Sequence, residues 1–318
     1  MLNLLEDGNC IMSLVMAKCS GLYYIIDPKS VKLRGHNVFH IAIMVMIAYM
    51  AVILSMCPFG LYHWSNDVIQ FIIQSTIFIT IPFGWFKAFT VVRHSDNIRQ
   101  CLDVTRFDFL SSAITDPHSV RFFQMSRNIL LKFTGFLALS CYFVFFLWTL
   151  LPFFVVGKPV EIKNRDESIS SYHLGLYNMY FFVSSETYNE WHLVFHLFQW
   201  IFGLCFTIFM ILFDTFMITS CIAIMYQMKC IAAAYKRLGH NLCTTPKVYF
   251  NGAIESDSTN NEYLKDLKLI IKNHQKVLGK MNDFYKIVRP VILPQLIIAS
   301  IIIIIVSFIM AWIYFNGM

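Results

Sequence analysis

Hydrophobic and polar positions separate along this chain in blocks long enough to be whole helices, rather than turn by turn. The first apolar block predicts a spanning helix from Asn37 to about Met56, ended by the breakers in Cys57-Pro58-Phe59-Gly60. A second runs from about Asp67 to Val92, interrupted at Pro82-Phe83-Gly84, and a third from about Leu130 to Val156, closing at Leu151-Pro152. The fourth starts near His192, stays apolar to about Met225 and continues as a polar helix through Tyr235. A fifth continuous helix is expected from Glu262 to Met318.

That last stretch has two halves. In the first, Leu267, Ile271, Leu278, Met281, Tyr285 and Val288 recur at helical spacing with His274 on the same seam, while Lys268, Lys272, Lys276 and Lys280 point elsewhere. After Arg289 comes Pro290-Val291-Ile292-Leu293-Pro294, and then an apolar run from Gln295 to Phe315 without a charged residue. Such a run is long enough to cross a hydrocarbon core of about 30 Å. A water-side helix thus becomes a membrane helix.

Composition agrees with the pattern. The 318 residues are 57% hydrophobic, 16% aromatic and only 14% charged, with a mean hydropathy of +0.59, which excludes a soluble globular domain. The net charge of +6 does not point to nucleic acid, because the basic residues lie between apolar runs and form no aromatic-interleaved patch. They read instead as topology. Counted over the segment before the first span, the second connection and the fourth with their flanks, Lys and Arg number 22, against 3 in the first and third connections. The third connection also carries five acids, Glu161, Asp166, Glu167, Glu186 and Glu190. The positive-inside rule then predicts a cytoplasmic amino terminus and, after five crossings, an outer Met318. That polarity argues against a G-protein-coupled receptor, whose amino terminus lies outside. At the start, Glu6 and Asp7 precede a weakly apolar segment without a small-residue cleavage site, so no signal peptide is expected.

Candidate chemistry is sparse. The nine cysteines, Cys10, Cys19, Cys57, Cys101, Cys141, Cys205, Cys221, Cys230 and Cys243, show no CxxC or regular spacing, so neither a disulfide framework nor a zinc site is expected. Two pairs at i,i+4, His36 with His40 and His192 with His196, have ligand spacing but lack a third ligand in the sequence nearby, and interfacial histidines are the preferred reading. Asp214 falls near the inner end of the fourth apolar run, where a solvated or paired interfacial acid is expected and a gating contact is the alternative. No nucleophile triad, phosphate loop or catalytic carboxylate pair can be assembled, so no enzyme activity, metal or cofactor is expected.

What remains is an aromatic set on the outer halves of the middle spans. Phe71, Gln74, Ser75 and Phe78 share a face in the second, Cys141, Val144, Phe145 and Trp148 in the third, and Phe195, Phe198, Gln199 and Phe202 in the fourth. Taken alone, stripes of this kind are more often helix packing than a pocket. The small and polar minority among the rings favours a site for a small lipophilic molecule.

Two stretches resemble one family, the insect odorant receptors. One is Leu267-Lys268-Leu269-Ile270-Ile271-Lys272-Asn273-His274-Gln275-Lys276-Val277-Leu278, continuing through Pro290 to Gln295 and Ser300, which is similar to the family's fifth helix. The other is Leu176 to Tyr180 and on through Asn189 to Phe198-Gln199, similar to the outer loop before its fourth helix. Asp214-Thr215 with the polar extension also fits. The resemblance implies an all-α, polytopic membrane helical bundle with a cytoplasmic amino terminus and five of the family's seven helices. The division is then a cytoplasmic segment 1–36, helices one to four with the pocket over 37–225, cytoplasmic anchor helices and loop over 226–290, and helix five over 291–318. It further implies a small volatile, hydrophobic ligand held by the three stripes, with Trp148 foremost. A coreceptor subunit in a heterotetrameric cation channel would contact Leu267, Ile271, His274, Leu278, Met281 and Tyr285, in the plasma membrane of olfactory sensory neurons and among its lipids. The family's helix six and the pore-lining helix seven have no counterpart in these 318 residues. A partial gene product, or a form without its own pore, is therefore expected. Two competing readings are a gustatory receptor of the same superfamily and a secondary transporter, which would need an inverted repeat.

Overall fold

The computed structural model describes residues 9–316 except 13, 28, 111–116, 155–158, 174, 178 and 239–255. Cys243 and the expected end of the third span at Val156 lie outside the described residues. Among the described residues the fold is all-α, 81% helical, with two short antiparallel hairpins. In chain order the elements are α1 (Leu14–Cys19), α2 (Leu22–Ile26), β1 (Lys32–Leu33), β2 (His36–Asn37), α3 (Val38–His63), α4 (Val68–Arg93), α5 (Ser95–Leu102), two 3-10 turns (Asp103–Thr105 and Phe107–Phe109), α6 (Pro117–Phe154), β3 (Val160–Lys163), β4 (Ile169–Tyr172), α7 (Ser185–Glu190), α8 (His192–Arg237) and α9 (Ser256–Asn316). Five of these helices, α3, α4, α6, α8 and α9, are long and apolar enough to cross a membrane.

Capping chemistry sets several starts. Asn37 opens α3 by accepting from Phe39 N at 2.9 Å, Asp67 opens α4 by accepting from Gln70 N at 3.0 Å, and Ser184 opens α7 by accepting from Thr187 N at 3.2 Å. The expected breaks inside the spans do not occur. Helix α3 runs through Pro58 to His63, and α4 runs through Pro82 without interruption. In an apolar medium the remaining ladder has no water to turn to, so an internal proline is absorbed. Nor are the glycines terminators. A Cβ on Gly60 would lie 3.2 Å from Gln74 Oε1, and one on Gly84 would lie 2.8 Å from the Phe206 ring, so both let a neighbouring element approach. The third span begins earlier than expected, at Pro117, where a proline suits the first helical turn. As expected, α8 is one helix of 46 residues and α9 one of 61.

The chain divides into two compact units. The larger comprises residues 20–95, 136–214 and 289–318. In it α3 packs against α4, and α8 is buried through Phe202, Phe209 and Phe213. A largely aromatic cluster of Trp64 after α3, Ile162 on β3, Tyr172 on β4 and Tyr188 on α7 forms one part of its core. The β3–β4 hairpin is pinned at its turn by Asn66, whose amide donates to Asn164 O at 3.2 Å and Arg165 O at 3.0 Å.

The smaller unit comprises residues 1–19, 96–135 and 215–288. Gln227, fully buried on α8, donates to Val104 O at 2.8 Å and to Arg106 O at 3.1 Å, the latter also accepting from Phe109 N at 3.3 Å. On α9, Lys276 reaches Phe109 O at 2.7 Å and Lys280 reaches Gln100 O at 2.7 Å. Its buried positions, Ile270, Asn273, Val277 and Ile287, form a different stripe from the expected seam. Ile271, Leu278, Met281 and Tyr285 are exposed, Leu267 and His274 half-buried, and Val288 is buried.

Candidate ligand site

All the residues of this site belong to the larger unit. Its centre is a strand of loop, Gly175-Leu176-Tyr177, between β4 and α7. Three side chains from three helices hold that backbone. Trp148 on α6 donates from Nε1 to Leu176 O at 2.6 Å. Gln199 on α8 accepts from Tyr177 N at 2.8 Å through Oε1. Gln74 on α4 donates from Nε2 to Tyr177 O at 3.4 Å. Both glutamines are fully buried, where an unpaired amide would be costly, so these contacts explain why polar residues occur among the rings.

Aromatic groups close round the loop. Phe202 lies edge-on to Tyr177 at 5.3 Å between centroids, and Phe195 stacks on Tyr188 at 5.2 Å and meets Phe181 at 4.6 Å. Phe198 packs on Tyr49 of α3 at 4.9 Å, whose hydroxyl donates to Phe198 O at 2.6 Å. Gly175 is required by this crowding, since a Cβ there would lie 2.6 Å from the Tyr188 hydroxyl and 2.9 Å from Gln199 Oε1. Burial pushes the Tyr188 phenol up to about 12, with the Gln199 side chain opposing the shift.

The structure therefore brings together Gln74, Phe145, Trp148, Phe195, Phe198, Gln199 and Phe202 around a loop segment that helical spacing could not place. It does not gather the rest of the expected set. Phe71, Phe78 and Val144 are exposed on the flanks of α4 and α6, and the Ser75 hydroxyl donates to its own helix at Phe71 O, 2.8 Å away. Cys141 sits apart from Trp148, within electrostatic reach of Lys87 and Asp214. Those two form a buried ion pair of 2.7 Å between α4 and α8, with Lys87 fully buried and also facing the Phe83 ring at 4.9 Å. Lys87, one of the 22 Lys and Arg counted at the basic span ends, thus lies inside the fold and not at a water-facing end. Its ion pair resolves Asp214 as a paired acid.

The histidine pairs separate. His36 lies in β2 and His40 in α3, so they share no helical face. His192 and His196 do share one on α8, 5.9 Å apart, and the loop brings His173 to 5.3 Å from His192, a third histidine that sequence proximity did not supply. Among the described residues no group of three or more His, Cys, Asp or Glu side chains is placed to hold a metal ion.

Comparison with known proteins bears on this arrangement. The family model described as 7tm Odorant receptor matches residues 67–317. No curated protein matches the sequence. Among solved structures, the insect olfactory receptor OR5 from Machilis hrabei is similar with a TM-score of 0.62 at 14% identity, over 92% of this chain and 68% of that one. At that identity the structural likeness speaks for the fold. With the family model matching from the start of α4 to the end of α9, the chain belongs to the 7tm odorant receptor family, a family of membrane receptors and not of enzymes.

Proposed function

We propose that this protein is an odorant-specific receptor subunit that binds a small, lipophilic, volatile molecule in its larger unit and gates a cation channel shared with a coreceptor. The observation that carries the ligand half is the convergence of Gln74, Trp148 and Gln199 on the Leu176–Tyr177 backbone, with both glutamines fully buried and Trp148 half-exposed. An apolar site with a few convergent polar groups is the usual form of a small-molecule pocket. The distribution of 22 Lys and Arg against 3 supports a cytoplasmic amino terminus. On that orientation the loop at Leu176–Tyr177 faces the outside, where an odorant arrives, in the plasma membrane of an olfactory sensory neuron.

The partner half draws on α9. Its seam of Ile271, Leu278, Met281 and Tyr285 is apolar and exposed, next to lysines that pack inward at Lys276 and Lys280. Apolar exposure on a water-side helix fits a subunit contact, here with the coreceptor in a heterotetramer, and Val288 belongs instead to the chain's own core. The test of the ligand half is binding of volatile ligands to the reconstituted chain. Trp148→Ala should weaken binding by about tenfold or more, as loss of a central aromatic anchor does. Equal affinity in the variant contradicts the assignment.

A further inference from the structure

We propose that Tyr177 is a tethered occupant of the ligand site, and that the ligand displacing it is a small benzenoid, one aromatic ring of about the size of a phenol. This deepens the odorant-subunit reading and rests on it. The seat of the Tyr177 ring is built from three features. Phe202 meets it edge-on at 5.3 Å and an interplanar angle of 89°, the favoured arrangement for a pair of rings. The Tyr177 hydroxyl lies 2.6 Å from the point where a Cβ on Gly203 would stand, and Phe145 Cε2 lies 2.7 Å from the same point. With Phe202 edge-on to the ring and a glycine under its hydroxyl, the seat already holds one flat phenol-sized ring and leaves no room for a larger side chain at Gly203.

The ring is tethered to a loop and not to a helix. Its backbone is held by two side-chain hydrogen bonds, from Tyr177 N to Gln199 Oε1 and from Gln74 Nε2 to Tyr177 O, with Trp148 holding the preceding carbonyl. Five residues on, Phe182 has a φ of 58°, a left-handed conformation that is strained for a bulky side chain. A strained loop held by three exchangeable hydrogen bonds is a segment a ligand can move. A benzenoid entering the seat takes over the ring contact with Phe202 and the space over Gly203 beside Phe145, and Tyr177 leaves. The internal occupant lowers apparent affinity by the fraction of time the seat is free.

The experiment uses two diazirine photoprobes, one carrying a phenyl ring and one an alkyl chain, on the reconstituted chain, with labelled peptides mapped by mass spectrometry. Labelling by the phenyl probe at Phe202 and Phe145 is expected to rise about tenfold or more in Tyr177→Ala. It should fall back in Tyr177→Ala/Gly203→Ala, where a methyl group enters the seat, while alkyl-probe labelling changes little. In the unsubstituted chain, saturating methyl benzoate should increase nitration of Tyr177 by tetranitromethane, a readout that does not depend on a variant folding. Alkyl labelling of the site with no selective gain of phenyl labelling, or nitration unchanged by methyl benzoate, overturns this inference and leaves the ligand-site reading standing. Absence of labelling by either probe at Trp148, Gln199 and Phe202 overturns the ligand-site reading and this inference with it.

Discussion

Lys87 and Asp214 illustrate what a single residue's place in the sequence conceals. In the linear chain Lys87 belongs to a tally of basic residues near span ends, and only the packing of α4 on α8 shows it fully buried at 2.7 Å from Asp214. A buried pair of this kind contributes little net stability, yet removing one partner leaves an uncompensated charge. Lys87→Met is therefore expected to cost about 3–5 kcal/mol, and Lys87→Met/Asp214→Leu about 1 kcal/mol or less, measured by unfolding of the reconstituted protein. Additive losses in the double variant would show that the two charges do not stabilise each other. The residues of the candidate site were legible in part for a related reason. Gln74, Trp148 and Gln199 stood out as polar or amphipathic groups among rings, whereas their partner, the backbone of Leu176 and Tyr177, has no side-chain signature.

At the scale of elements, hydropathy located all five spans, because a long apolar run has few other solutions in a chain of this composition. The breaks assigned to Pro58-Phe59-Gly60 and Pro82-Phe83-Gly84 failed because glycine and proline carry different meanings in lipid, where close helix approach is the commoner use of glycine. Gly84 faces the Phe206 ring, while Gly135 on α6 has nothing within 4 Å. Gly84→Val should destabilise by about 1–3 kcal/mol through overpacking. Gly135→Ala should stabilise by about 0.5–1 kcal/mol through helix propensity. Comparable effects of both substitutions on the melting temperature would contradict the packing account. The two stripes of α9 mark another limit of periodicity. Spacing identified a helix and one of its apolar faces, but which face turns inward depends on what packs there, and Ile270, Asn273 and Val277 are the ones buried.

At the scale of the whole molecule stands the proposed assembly with a coreceptor. The exposed seam of α9 predicts that Ile271→Asp/Leu278→Asp keeps the monomer's helicity, read by circular dichroism, and abolishes co-purification with the coreceptor. Retained co-purification would move the contact elsewhere. Fold class followed from composition and the apolar blocks, and family membership from the match over residues 67–317. The proposed ligand binding and gating depend on arrangements of side chains that no linear pattern encodes. The most direct test of the account is the whole-cell current in cells co-expressing the receptor gene with the coreceptor, challenged with a broad panel of volatile compounds. An odorant-evoked cation current, reduced in Trp148→Ala at equal surface expression, is the predicted result, and silence across the whole panel with the coreceptor present and both subunits at the surface would contradict it.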